Sequence, residues 1–148
     1  VNAPRLPFKF YEDLNAFKLF MLDVGLMGAM AETSAESMLV GDNVFSEYKG
    51  AFTELFVFTQ LKSRHFSLYY HAVESSTIEI DFLTQWHDRV IPIEVKAEVN
   101  VKAKSLHTFI NNNPELQGLR FSMLPYKKQD WVINVPLYAC LVPFDYYR

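Results

Sequence analysis

Apolar side chains recur along this chain with a period of two in some stretches and of three to four in others, and the switches mark its elements. The clearest stretch runs from Thr77 to Lys96, TIEIDFLTQWHDRVIPIEVK. Ile78, Ile80 and Phe82 alternate with Glu79 and Asp81. Further on, Ile91, Ile93 and Val95 alternate with Pro92, Glu94 and Lys96. Successive side chains of a strand point to opposite faces, so the stretch predicts two strands joined by a polar turn at Gln85–Arg89. Phe45–Ser63 is apolar nearly all round at helical spacing, which predicts a buried helix. Lys104–Asn112 places Leu106, Phe109 and Ile110 on one helical face and runs into Asn113-Pro114, a strong stop.

Weaker signals fill the gaps. Residues 1–14 carry prolines and read as a lead-in. Phe17–Leu22, FKLFML, predicts a short strand. A helix is expected from about Gly25 to Glu32, with Asp23 near its N-cap, a role that suits Asp23 better than catalysis. Residues 33–44, with Gly41 and Asn43, read as a loop. Ser67–Ala72 predicts a strand in which His71, alone among aromatics, is a structural histidine. Val73–Ser76 is a turn, and Val99–Lys104 a loop bearing Lys102 and Lys104. Leu119–Leu124 and Trp131–Val135 predict strands on either side of a basic loop at Tyr126–Asp130. Pro136–Val142 is apolar and suits a strand or a helix. Mixed strands and helices in this order make an α/β chain, and 148 residues suffice for one domain with a core.

Composition narrows the function classes. Half of the residues are hydrophobic and 16% aromatic, as in a packed unit rather than a disordered one. A net charge of −3 gives no whole-chain grip on nucleic acid, so any such grip is local. The single cysteine, Cys140, rules out an internal disulfide and a thiolate zinc site. It suits a reducing compartment, and a cytoplasmic location is expected. No apolar run has the length of a membrane span and no signal peptide is visible. No G-x-x-x-x-G-K-[ST] motif occurs, so ATP is not bound by that route.

The polar positions carry the candidate chemistry. Glu94 and Lys96, two residues apart, project from one strand face at roughly 6.6 Å along the strand. With Asp81 on the paired strand they form two carboxylates and an ammonium, a set that holds a hard divalent cation and orients water at a phosphodiester. A hairpin with one solvated face shows the same alternation without any site. Glu54 stands in the middle of the apolar helix, and at offsets −4, −3, +3, +4 and +7 it meets Gly50, Ala51, Val57, Phe58 and Leu61. A buried carboxylate there needs a partner. A local salt bridge or backbone hydrogen bond meets that need, and so does a place as third acidic group of the same site.

The ordered set of helix Glu54, strand Asp81 and Glu94-Val95-Lys96 resembles the PD-(D/E)xK nuclease-like superfamily, the restriction-endonuclease fold. More narrowly, FKLFMLDVGLMGAM, GAFTELFVFTQL and EIDFL…IPIEVK resemble the C-terminal domain, labelled as being of unknown function, of prokaryotic AAA+-type ATPases. The resemblance covers roughly Lys18 to Ser122. The superfamily's proline before the aspartate is replaced here by Ile80. The resemblance implies a restriction-endonuclease-like core with a mixed central sheet flanked by helices. It implies Mg²⁺ held by Asp81, Glu94 and the Val95 carbonyl, with Lys96 beside the scissile phosphate and Glu54 in support. Lys104 would meet a phosphate or be an ordinary solvated lysine. The chain, which opens at Val1, would then be the C-terminal piece of a longer ATPase, with that ATPase domain and nucleic acid as partners. A catalytically silent accessory or protein-interaction domain is the alternative reading. It is favoured by the acidic pI, the lack of a basic stripe and the abundance of aromatics.

Overall fold

The computed structural model describes residues 1–34, 36, 43–72, 78–98 and 103–146. Its strands are β1 (Leu68–Ala72), β2 (Glu79–Trp86), β3 (Arg89–Lys96), β4 (Gly118–Ser122), β5 (Lys127–Lys128) and β6 (Val132–Pro136). Its helices are α1 (Val24–Met30), α2 (Asn43–Ser63), α3 (Lys104–Asn112) and α4 (Val142–Tyr146), with 3-10 turns at Phe8–Tyr11 and Leu137–Ala139. The strands form one mixed sheet in the order β1-β2-β3-β4-β6-β5. β1, β2 and β3 run antiparallel to one another, β3, β4 and β6 run parallel, and β5 closes the far edge antiparallel to β6. The crossover from β3 to β4 is made through α3, as a parallel pair requires.

Register sorts the side chains into two cores. Phe82, Ile93, Leu119 and Ile133 are successive partners across four strands, and with Val95, Phe121 and Val135 they pack beneath α2, against Val57 and Leu61. The opposite face collects Ile80, Leu83, Val90 and Val132 against Leu106, Phe109 and Ile110 of α3. The residues expected to be a mere lead-in join this second core, because Phe8 is buried and stacks on Tyr69. The α-amino group of Val1 donates to the Tyr70 carbonyl, and the Val1 carbonyl meets His71 Nδ1 at 2.9 Å. His71 is thus structural.

Local chemistry explains the element ends. Asp23 caps α1 by accepting from the Leu26 amide at 2.8 Å. α2 ends with His65 at φ 62°, where the His65 and Phe66 amides donate to the Lys62 and Leu61 carbonyls. This Schellman geometry satisfies the last carbonyls of the helix. Two residues, His87 and Asp88, link β2 to β3, with His87 at φ 55° as a tight hairpin needs.

Four expectations change. Ile80 and Phe82, expected to share a face of their strand, pack in opposite cores, because β2 carries an irregularity between them. Phe17–Leu22 forms no ladder among the described residues; it keeps the in-out alternation of a strand, with Lys18 and Phe20 inward and Phe17 and Leu19 outward. α2 is half-buried rather than buried all round, since only one side of it meets the sheet. The basic loop contains the short edge strand β5, whose lysines protect an otherwise open edge. The turn at Val73–Ser76, most of the loop at 33–44, and Lys102 lie outside the described residues.

Candidate active site

β2 and β3 are neighbours, as the alternation requires, and their ladder ends at the pair Phe82–Ile93. Beyond it the strands part at Asp81 and Glu94. On its other side β2 carries a bulge. Tyr69 pairs with Leu83 and His71 with Ile80, so Tyr70 alone stands opposite both Asp81 and Phe82. A bulge re-aims the side chains that it contains. Here the Asp81 carboxylate takes the place of a ladder carbonyl, its Oδ2 accepting from the Val95 amide at 2.7 Å.

Glu94 lies on the face of β3 opposite Ile93 and Val95, together with Lys96, and is 4% exposed. One of its oxygens is in an ion pair with Lys96 Nζ. The other, Oε2, is a buried oxygen with no hydrogen-bond partner among the described residues. On β4, Glu94 is in register with Arg120, whose guanidinium is held below its ordinary value by burial, an effect that the Glu94 charge opposes. Arg120 Nε donates to Asn134 Oδ1 at 3.0 Å, and Ser122 Oγ donates to the same oxygen at 2.7 Å. Asn134 Nδ2 in turn donates to the Leu124 and Pro125 carbonyls. A buried polar row thus crosses the sheet from Glu94 to β6.

The electrostatics single out Asp81. Burial first, then the neighbouring Glu94 charge, push its carboxyl up to about 7; the Val95 amide works against that rise, Glu54 adds to it, and Lys18 opposes it. Such a shift toward neutral pH is typical of clustered site carboxylates.

Glu54 does not meet Lys96. Its side chain is 25% exposed and its partner is Lys18, at 3.1 Å. Lys18 also reaches Glu79 at 2.8 Å and lies over the Tyr70 ring, 5.3 Å from the centroid. Burial alone would lower the Lys18 ammonium; its hydrogen bond to Glu79 and its contact with Glu54 more than offset that and raise it. Glu54 therefore acts on Asp81 through space, and Lys18 ties it to the cluster. Lys18 escaped sequence reasoning because its partners stand far along the chain. The available signal was a single ammonium within an otherwise apolar hexamer, on the same side as Phe20. Lys104 opens α3 as an exposed residue.

A divalent cation can be tested against these side chains. Among the described residues no three His, Cys, Asp or Glu side chains cluster closely enough to form an all-protein cage. Two carboxylates, one with a buried oxygen lacking a partner among the described residues, suit instead a hard cation that keeps much of its own water, as Mg²⁺ does.

A model of the family described as Domain of unknown function (DUF4143) matches residues 49–139, more than half of the chain. The chain belongs to this family. The DUF4143 match takes in Glu54, Asp81, Glu94 and Lys96, whereas Lys18 precedes it. No curated protein and no solved structure matches the chain. No helix among the described residues is long and apolar enough to cross a membrane.

Proposed function

We propose that this chain is a PD-(D/E)xK nuclease-like domain that hydrolyses phosphodiester bonds of DNA or RNA with Mg²⁺. The observation that carries the reading is the buried Oε2 of Glu94, without a hydrogen-bond partner among the described residues, beside a second carboxylate, Asp81, that resists ionisation. A buried charge with an unused acceptor is costly unless a cation completes it. Asp81, Glu94 and the Val95 carbonyl would hold Mg²⁺, which supplies Lewis-acid polarisation of the phosphate and a more acidic water. Lys96, paired with one Glu94 oxygen, is fixed where its ammonium orients the attacking water or meets the charge gathering on the phosphate. The Val95 amide fixes Asp81 through its Oδ2. Glu54 supports the cluster from α2 through Lys18. The acidic chain has no basic stripe to recruit nucleic acid, so delivery falls to the ATPase portion of a longer AAA+-type parent.

The test is direct. Purified chain is incubated with single- and double-stranded DNA and with RNA, in Mg²⁺ or Mn²⁺. Cleavage that disappears in Glu94→Gln and Lys96→Ala supports the reading; nucleic acid left intact under all conditions overturns it.

One observation favours a second reading, a silent accessory domain of the ATPase. Lys18, Lys96 and Arg120 stand among Glu54, Glu79, Asp81 and Glu94. With a proton on Asp81, three cations balance three anions and no metal is needed. Binding of the ATPase portion by an uncleaving domain, unaffected by Glu94→Gln, would favour it.

A further inference from the structure

Lys18 belongs to no part of the acidic motif, yet it pairs with two carboxylates, Glu54 and Glu79. It bridges Glu54 of α2 and Glu79 at the start of β2, and its flanking segment pairs with no strand among the described residues. Two inward side chains hold that segment. Phe20 stacks on Phe58 with ring centroids 4.1 Å apart, and also meets Phe82. Lys18 makes the ionic contacts. Alongside them runs an open groove of about 420 Å³ whose lining includes Phe17, Lys18, Leu19, Tyr70, Asp81 and Phe82. Phe17 and Leu19 face outward, at 69% and 88% exposed, and give the segment no further anchor.

We infer that Lys18 is a positioning residue of the acidic site: it latches residues 16–20 as a strap over Asp81 and serves as the resident cation that a divalent metal must outcompete. The inference rests on the metal-site reading for its second half, while the latch stands on the ion pairs alone. Lys18 closes two carboxylates against a segment that is in no strand ladder among the described residues, and so shares with Phe20 the hold on that segment. The same ammonium lowers the negative potential at Asp81, so the closed strap weakens cation binding and the open strap favours it. The strap therefore couples access of a phosphodiester to loading of the metal.

Lys18→Met and Lys18→Arg separate the two halves, with the chain otherwise intact. Chymotrypsin cuts after Phe17 and Phe20, so nicking between residues 17 and 22 reports strap opening. Lys18→Met is expected to speed this nicking at least several-fold and to tighten Mn²⁺ binding on the order of tenfold. Lys18→Arg should stay near wild type in both. Glu54→Gln should also speed nicking, and adding it to Lys18→Met should bring little more nicking. Unchanged nicking in Lys18→Met overturns the latch. Mn²⁺ binding that is unchanged or weaker in Lys18→Met overturns its role as competing cation. If neither wild type nor variant binds Mn²⁺ while nicking responds as stated, the metal reading fails and the latch stands.

Discussion

Replacing Asp81 by Asn removes one ionisable group and keeps its geometry. Asn Oδ1 still accepts from the Val95 amide, so the hydrogen bond that terminates the β2–β3 ladder survives. What changes is the charge. The folded chain holds the Asp81 proton up to about pH 7, against an ordinary value of 3.8. The unfolded chain releases its proton near the lower value, so between the two the native state binds more protons. Wild-type stability therefore falls as pH rises from about 4 to about 7 and levels off above that. At about 1.4 kcal/mol per pH unit, the ionised side chain costs the folded state on the order of 4 kcal/mol at pH 8, and under ~2 kcal/mol at pH 5. Asp81→Asn should recover most of that cost. Without metal, its melting temperature should exceed that of the wild type by ~10 °C at pH 8 and by ~5 °C at pH 5. Urea denaturation of both proteins at several pH values measures the difference directly, and other titrating groups cancel between them. A variant that is neutral or destabilised throughout, or a gain that fails to grow with pH, would refute the assignment of a repelled, desolvated Asp81.

Two further outcomes follow from the buried polar row and the lone thiol. Asn134→Ala removes four hydrogen bonds at once, from Arg120 Nε and Ser122 Oγ and to the Leu124 and Pro125 carbonyls; a loss of ~3 kcal/mol or more is expected in urea denaturation, and a loss under ~1 kcal/mol would show that water replaces the network. Cys140 is 2% exposed and its thiol is pushed up to about 11 by burial; it should resist thiol reagents in the native state at pH 8 and react only on unfolding.

The alternation in EIDFLTQW and RVIPIEVK predicts β2 and β3 as strands, but period alone puts Ile80 and Phe82 on one face, whereas the bulge sends Ile80 to the core under α3 and Phe82 to the core under α2. Lys104–Asn112 is α3 with the same ends, since one apolar face and a proline stop define it without outside help. The bulge at Asp81–Phe82 left no local trace. It exists only relative to Tyr70 on β1, and a single strand does not show how many residues its neighbour sets against it. The same reason hid the row from Glu94 through Arg120 to Asn134, which register alone assembles. FKLFML carried a true alternation, but a ladder also needs a strand edge within reach, and only its inward side chains found partners. Glu54 was recognised as a carboxylate in need of a partner; that the partner is Lys18 is a fact of tertiary packing.

Titration calorimetry of Mn²⁺ into the purified chain, in two buffers of different ionisation enthalpy, bears most directly on the Asp81–Glu94 site. One Mn²⁺ should bind in the millimolar range, displaced by Mg²⁺. Because Asp81 holds a proton up to about pH 7, binding below that pH should release protons and tighten as pH rises. Asp81→Asn and Glu94→Gln should each weaken it tenfold or more. A chain that binds no divalent cation at pH 8, or binds it equally well in both variants, would contradict the account.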